Sequence, residues 1–152
     1  MAIIQGMTQT FLQQLLEGVH DFRSAGGDTF KLALYGPSAN LGPQTTAYTT
    51  TGEISATGYT AGGATLTCIT PSSGGTPQGP VAFTSFSTVT WSGAGIAASG
   101  GLIYNTTPTH TYTNPSVVVL NFGMSRSAVS GVFTITFPTN NTTNAILRLG
   151  VS

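Results

Sequence analysis

The residues able to do chemistry in this chain are few and scattered: two histidines, one cysteine, four carboxylates and four Lys or Arg among 152 residues. His20 and Asp21 are adjacent, and Ser24 lies one helical turn beyond His20, which is the residue set of a nucleophile–base–acid triad. On a helix, however, successive residues point about 100° apart, so His20 and Asp21 do not converge as an orienting pair. His20 reads as a solvated or interface helix residue. His110, in the Thr-rich run 106–112 with no acid beside it, reads as an exposed loop residue. Glu17 and Asp21 are four apart, where like charges repel, so Arg23, Lys31 or a partner is expected to face them. Glu17, Asp21 and Asp28 supply too few oxygens for calcium, which takes about six to eight. Cys68 lies on an alternating segment and reads as a small buried hydrophobe, with no Lys or Arg between Lys31 and Arg126 to activate it. A lone cysteine excludes an intrachain disulfide and a zinc site built on paired thiolates. The pairs Gly62-Gly63, Gly74-Gly75 and Gly100-Gly101 lack phosphate-loop spacing and read as turns or bulges. Asn105-Thr106-Thr107 and Asn141-Thr142-Thr143 match the glycosylation triplet, a match expected by chance in a Thr-rich chain. The expectation is no catalytic residue, no cofactor and no metal.

Charge argues next about partners. Arg23, Lys31, Arg126 and Arg148 are scattered, so no basic patch for nucleic acid is legible. No run approaches the roughly 20 apolar residues that cross a bilayer, and residues 1–7 lack the basic start and apolar core of a secretory signal. Synthesis in a cytosol, with no nucleic-acid or membrane partner, is expected. Trp91 and Tyr104 on strand-like segments read as core rather than as a platform for sugars. Only 5% of residues are charged and the formal net charge is zero, so little keeps free copies apart. The chain is expected to work inside an assembly.

The elements that must hold these residues follow from periodicity. Phe11, Leu12, Leu15, Leu16, Val19 and Phe22 recur at helical spacing, and Thr10 with Gln13 reads as a capping box, which predicts a helix over 11–23 with Gly18 inside it and Gly26-Gly27 as its stop. From residue 28 the period becomes two: Phe30, Leu32 and Leu34 alternate with Lys31, Ala33 and Tyr35. Further strands are predicted over 65–70, 81–86, 88–91, 117–122, 132–137 and 145–149, with turn-rich segments at 70–77 and at Asn114-Pro115. Residues 43–63 read as a long ordered loop or arm anchored by Tyr48, Ile54 and Tyr59. The predicted fold is mainly β, an antiparallel β-sandwich or jelly-roll-like domain with one N-terminal α-helix. Residues 1–27 are expected to form an arm and amphipathic helix, and residues 28–152 the β-sandwich domain.

The segment Phe11-Leu12-Gln13-Gln14-Leu15-Leu16-Glu17-Gly18-Val19-His20-Asp21-Phe22, then Asp28 to Tyr35, Thr45-Thr46-Ala47-Tyr48 and Gly58-Tyr59-Thr60-Ala61-Gly62-Gly63, resembles a family of small structural proteins of tailed bacteriophages. Val89-Thr90-Trp91 and Gly101-Leu102-Ile103-Tyr104-Asn105 continue the likeness, which covers most of the chain with the motif order preserved. The resemblance implies a non-enzymatic virion protein, a decoration (cement) protein on the capsid exterior whose partners are the major capsid protein and itself, as a homotrimer. The residues expected to contact the shell are Ile3, Ile4, Met7, Phe11, Leu12, Leu15, Leu16 and Val19, apolar side chains spread beyond one helix face. The alternatives are a tail or neck component that forms rings, and a carbohydrate-binding adhesion β-sandwich.

Overall fold

The structure, a computed structural model, describes residues 2–150; residues 1, 151 and 152, at the outer ends of the two expected units, lie outside the described residues. Its centre is an antiparallel five-stranded sheet in the order β1-β8-β7-β2-β3, formed by Gly6–Met7, Ser116–Ser127, Ala97–Asn105, Phe30–Tyr35 and Ala64–Thr65. Packed with it are a three-stranded sheet, β10-β5-β4 (Leu147–Gly150, Gly79–Thr84, Ser72–Thr76), and a two-stranded sheet, β6-β9 (Val89–Ala94, Gly131–Ile135). One short helix, α1 (Gln9–Leu16), stands near the N-terminus. The chain is mainly β and antiparallel, as its alternation predicts.

Alternation on β2 decides which residues meet which layer. Phe30, Leu32 and Leu34 enter a core with Phe11, Phe22, Phe86, Trp91, Phe133 and Leu147, supplied by the N-terminal segment and the two smaller sheets. Phe22 stacks on Phe30 at 4.3 Å between ring centres. Ala33 and Tyr35 face the opposite way and join Leu102, Tyr104 and Val119 beneath Ala39, Leu41 and Tyr48. The strand is thus buried on both faces, because the long loop after it covers the side that water would otherwise occupy. On β8 the pairing with β7 passes from Val118 to Ser116, and the extra residue, Val117, forms a bulge that turns it into the same core as Val118.

The helix differs from its prediction at both ends. Thr8, not Thr10, is the N-cap, and its Oγ1 accepts from Phe11 N at 3.3 Å. Gly18, expected inside the helix, terminates it: at φ +70° it takes the left-handed conformation, while Gly18 N donates to Leu15 O and Val19 N to Gln14 O. These two bonds make a Schellman motif, which glycine forms without the Cβ penalty other residues would meet. The glycine pair at 100–101 is also not a turn. It lies within β7, where a Cβ on Gly100 would sit 2.5 Å from Leu120 O and one on Gly101 2.7 Å from Leu32 Cδ1. Gly74-Gly75 likewise lies in β4, and the 65–70 strand shrinks to Ala64–Thr65 with a single bridge at Cys68.

The N-terminal residues are part of the sandwich rather than a projecting arm. Gly6 and Met7 pair with Val119 and Val118 of β8. Thr8 is fully buried, and Ser116 Oγ donates to Thr8 Oγ1 at 3.0 Å.

Candidate interaction surface

Because α1 ends at Leu16, His20 and Asp21 are not helix residues. His20 is turned inward among Phe11, Phe22 and Phe30, with ring centres 5.2, 6.2 and 6.3 Å away. Asn105, buried at the end of β7, fixes its tautomer. The Asn105 Oδ1 accepts from Thr107 N at 2.9 Å, so its Nδ2 faces Asp28 Oδ2 at 2.7 Å and His20 Nδ1 at 3.1 Å. Nδ1 must therefore accept, and Nε2 carries the proton that is donated to Gln14 Oε1 at 2.8 Å. Burial lowers the His20 pKa to about 4, with the Asp28 charge opposing. This overturns the solvated-helix expectation: both ring nitrogens are engaged, and His20 locks α1 to β7. The same bonds occupy the amide of the first glycosylation triplet.

Asp21, freed from the helix, is answered by Arg23, whose Nε donates to both carboxylate oxygens at 3.0 and 2.9 Å, the one ion pair among the described residues. Glu17 accepts from Tyr112 Oη at 2.6 Å and from Gln13 Nε2 at 2.8 Å, which holds its carboxyl below the usual range. His110, with a ring nitrogen 3.3 Å from Glu17 O, is exposed as expected. Cys68 is buried, which raises its thiol pKa to about 11. Trp91 and Tyr104 are buried too and offer no exposed aromatic platform. Among the described residues no group of three or more His, Cys, Asp or Glu gathers as a metal site, and no helix is long and apolar enough to cross a membrane.

Sequence reasoning missed the role of Glu53. Its carboxylate accepts from Tyr48 Oη and Tyr59 Oη, each at 2.6 Å, and from Gly62 N at 2.7 Å. Tyr59 Oη also accepts from Leu34 N at 2.9 Å, and Tyr104 Oη donates to Gly62 O at 2.7 Å. Burial and the neighbouring carboxylate push the Tyr48 and Tyr59 pKa values well up, and burial raises Tyr104 to about 12. This hub fastens the 36–63 loop to the sheet. It also accounts for Gly58-Tyr59-Thr60-Ala61-Gly62-Gly63: Gly63, at φ +78°, passes so close to β2 that a Cβ would lie 1.8 Å from Leu32 O. The available signal was Glu53 as the sole acid in a long uncharged stretch beside two tyrosines.

The expected shell contacts divide into two groups. Phe11 and Val19 are fully buried in the chain and cannot reach a partner, which corrects that part of the expectation. Ile3, Met7 and Leu15 are half-buried, whereas Ile4, Leu12 and Leu16 are exposed, Leu16 to 92%. Leu12 and Leu16 are one turn apart on α1 and make an apolar strip. Beside it runs a groove of about 450 Å³ walled by Leu15, Phe83, Leu147 and Leu149, with Phe11, His20 and Phe22 also lining it. A depression of about 430 Å³ near the 76–79 turn is lined by Thr76, Thr142, Thr143 and Arg148 and contains no acid–base pair. At the other end of β8, Met124, Val129 and Val132 are exposed, a second apolar group that the sequence reading did not single out.

No protein-family model matches the chain, and no curated protein or solved structure shows significant similarity to it.

Proposed function

We propose that this chain is a non-enzymatic virion structural protein, a capsid decoration protein that binds the outer surface of the major capsid protein shell and stabilises it. The observation that carries the reading is the strip Leu12–Leu16, standing open beside the apolar groove on a firmly packed β-sandwich. A cement protein needs buried contact area rather than a reactive group, and binding only the assembled shell stabilises it by mass action. The resemblance to tailed-phage structural proteins and the scarcity of charge support the same reading. A tail or neck component is the second reading, favoured by the two unlike apolar surfaces at opposite ends of β8, which suit head-to-tail rings.

The test is co-sedimentation of purified protein with capsid shells that lack it. Burying a leucine contributes about 1.5–3 kcal/mol, so L12D/L16D is expected to weaken binding by more than about tenfold while the far-ultraviolet circular dichroism stays unchanged. Unaltered shell binding by the double variant overturns the proposed contact.

A further inference from the structure

The sheet edges of this chain are not protected alike. A strand at an edge leaves a row of N–H and C=O groups open to pairing, and proteins blunt such edges with short strands, charge, proline or a covering loop. β1 and β3 are two residues long, β4 is Ser-Ser-Gly-Gly-Thr, and β10 carries Arg148. A loop lies against β6, where Gly95 N donates to Thr57 O at 2.9 Å and a Cβ on Gly58 would sit 2.9 Å from Ser92 O. β9 has none of these devices. Gly131–Ile135 contains no charge and no proline, Val132, Thr134 and Ile135 are β-branched, and among the described residues its backbone bonds only to β6.

A depression of about 540 Å³ runs beside this strand, lined by Phe122, Arg126 and Ser127 of β8 and by Val132 through Thr136. A sheet face presents alternate residues, whereas five consecutive ones line this hollow, so it follows the edge of β9. Phe122 and Ile135, both half-buried, pack against the main core and give the hollow an apolar wall. Arg126 is the one charge in its lining. The four carboxylates of this chain are engaged elsewhere: Asp21 is paired with Arg23, Glu17 accepts from Tyr112 and Gln13, Asp28 from Asn105, and Glu53 from Tyr48 and Tyr59.

We infer that the β9 edge receives an extended segment of a partner protein as an added strand, with alternate apolar side chains against Phe122 and Ile135 and a carboxylate facing Arg126. Backbone hydrogen bonds to the open edge supply affinity in this mode, and the alternate side chains supply register and specificity. A second copy of this chain brings no uncommitted carboxylate, so charge complementarity assigns the edge to a different protein. The inference stands apart from the capsid reading, since it uses neither Leu12 nor Leu16.

The probe is the synthetic peptide Val-Thr-Val-Thr-Val-Glu, titrated into the full chain and followed by amide-proton NMR. Binding is expected with a Kd tighter than about 1 mM, together with slowed hydrogen exchange at alternate residues of 131–136. N-methylation of one alternating set of peptide residues is expected to abolish binding and of the other set to preserve it, because an added strand bonds to the edge through alternate residues only. A peptide ending in Lys is expected to bind wild type about fivefold more weakly, and R126E, with unchanged circular dichroism, is expected to reverse that preference. No saturable binding, or equal binding by both N-methylated sets, overturns strand addition. An R126E chain that still prefers the Glu peptide overturns the role of Arg126. Protection of 131–136 in the protein alone that grows with chain concentration gives the edge to a second copy and overturns the partner assignment.

Discussion

Glu53 shows how one side chain can organise a loop that sequence periodicity leaves undescribed. Its carboxylate accepts three hydrogen bonds, two from phenols that also brace the loop and sheet. Hydrogen bonds to a charged group contribute about 1.5–3 kcal/mol, and removal strands the remaining donors. Glu53→Ala is expected to lower stability by about 3 kcal/mol and Tyr59→Phe by about 1 kcal/mol, read from urea unfolding; an unaffected Glu53→Ala midpoint contradicts the hub. His20 adds a pH dependence of definite sign. Its folded pKa of about 4 lies below the ordinary 6.5, so the unfolded chain binds the proton more readily between those values. The stability it contributes is full above pH 6.5 and is lost as pH falls toward 4. Asp28 faces the ring through Asn105, while Glu17 and Asp21, with lowered pKa values, stay ionised over this window. In H20Q the fall in urea midpoint between pH 6.5 and 4.5 is expected to be smaller than in wild type, and an equal fall refutes the assignment.

At the scale of elements, strands that bury alternate apolar residues were legible and those made of small residues were not. β2, β5, β6 and β9 lie close to where alternation puts them, and β8 and β10 where continuous apolar runs put them, although β8 runs on to Ser127. β7 escaped because Gly100 and Gly101 look like a turn, yet they are there to let Leu120 and Leu32 approach the backbone. The helix end was misplaced because Val19 and Phe22 keep helical spacing, although the Gly18 cap redirects them into the core. The same burial ties the first 22 residues to the fold of the rest. Their removal strips β1, Phe11, Val19 and Phe22 from the sandwich, and each large buried side chain lost costs about 2–5 kcal/mol, against a total stability of about 5–15 kcal/mol for a typical domain. A chain beginning at residue 23 is expected to be unfolded by circular dichroism and proteolysis; a cooperative unfolding transition in that truncation would contradict the packing described.

For the whole molecule, the candidate site was half legible. Leu12 and Leu16 were named among the expected contacts together with Phe11 and Val19, and they are the ones left exposed, since they lie off the Phe11 face of α1. Val129 and Val132 were not, because single valines among Ser and Gly carry no periodic signal, and their meaning depends on standing at the opposite end of β8 from the groove. The functional reading joins these surfaces to a chain with so little charge that covering them is the expected state. The most direct measurement of the proposed reading is cryo-electron microscopy of tailed-phage particles assembled in the presence of this chain. The account predicts density for the β-sandwich repeated over the icosahedral faces, with Leu12 and Leu16 against the shell. Density confined to one vertex or the tail, or particles that lack the protein, would contradict it.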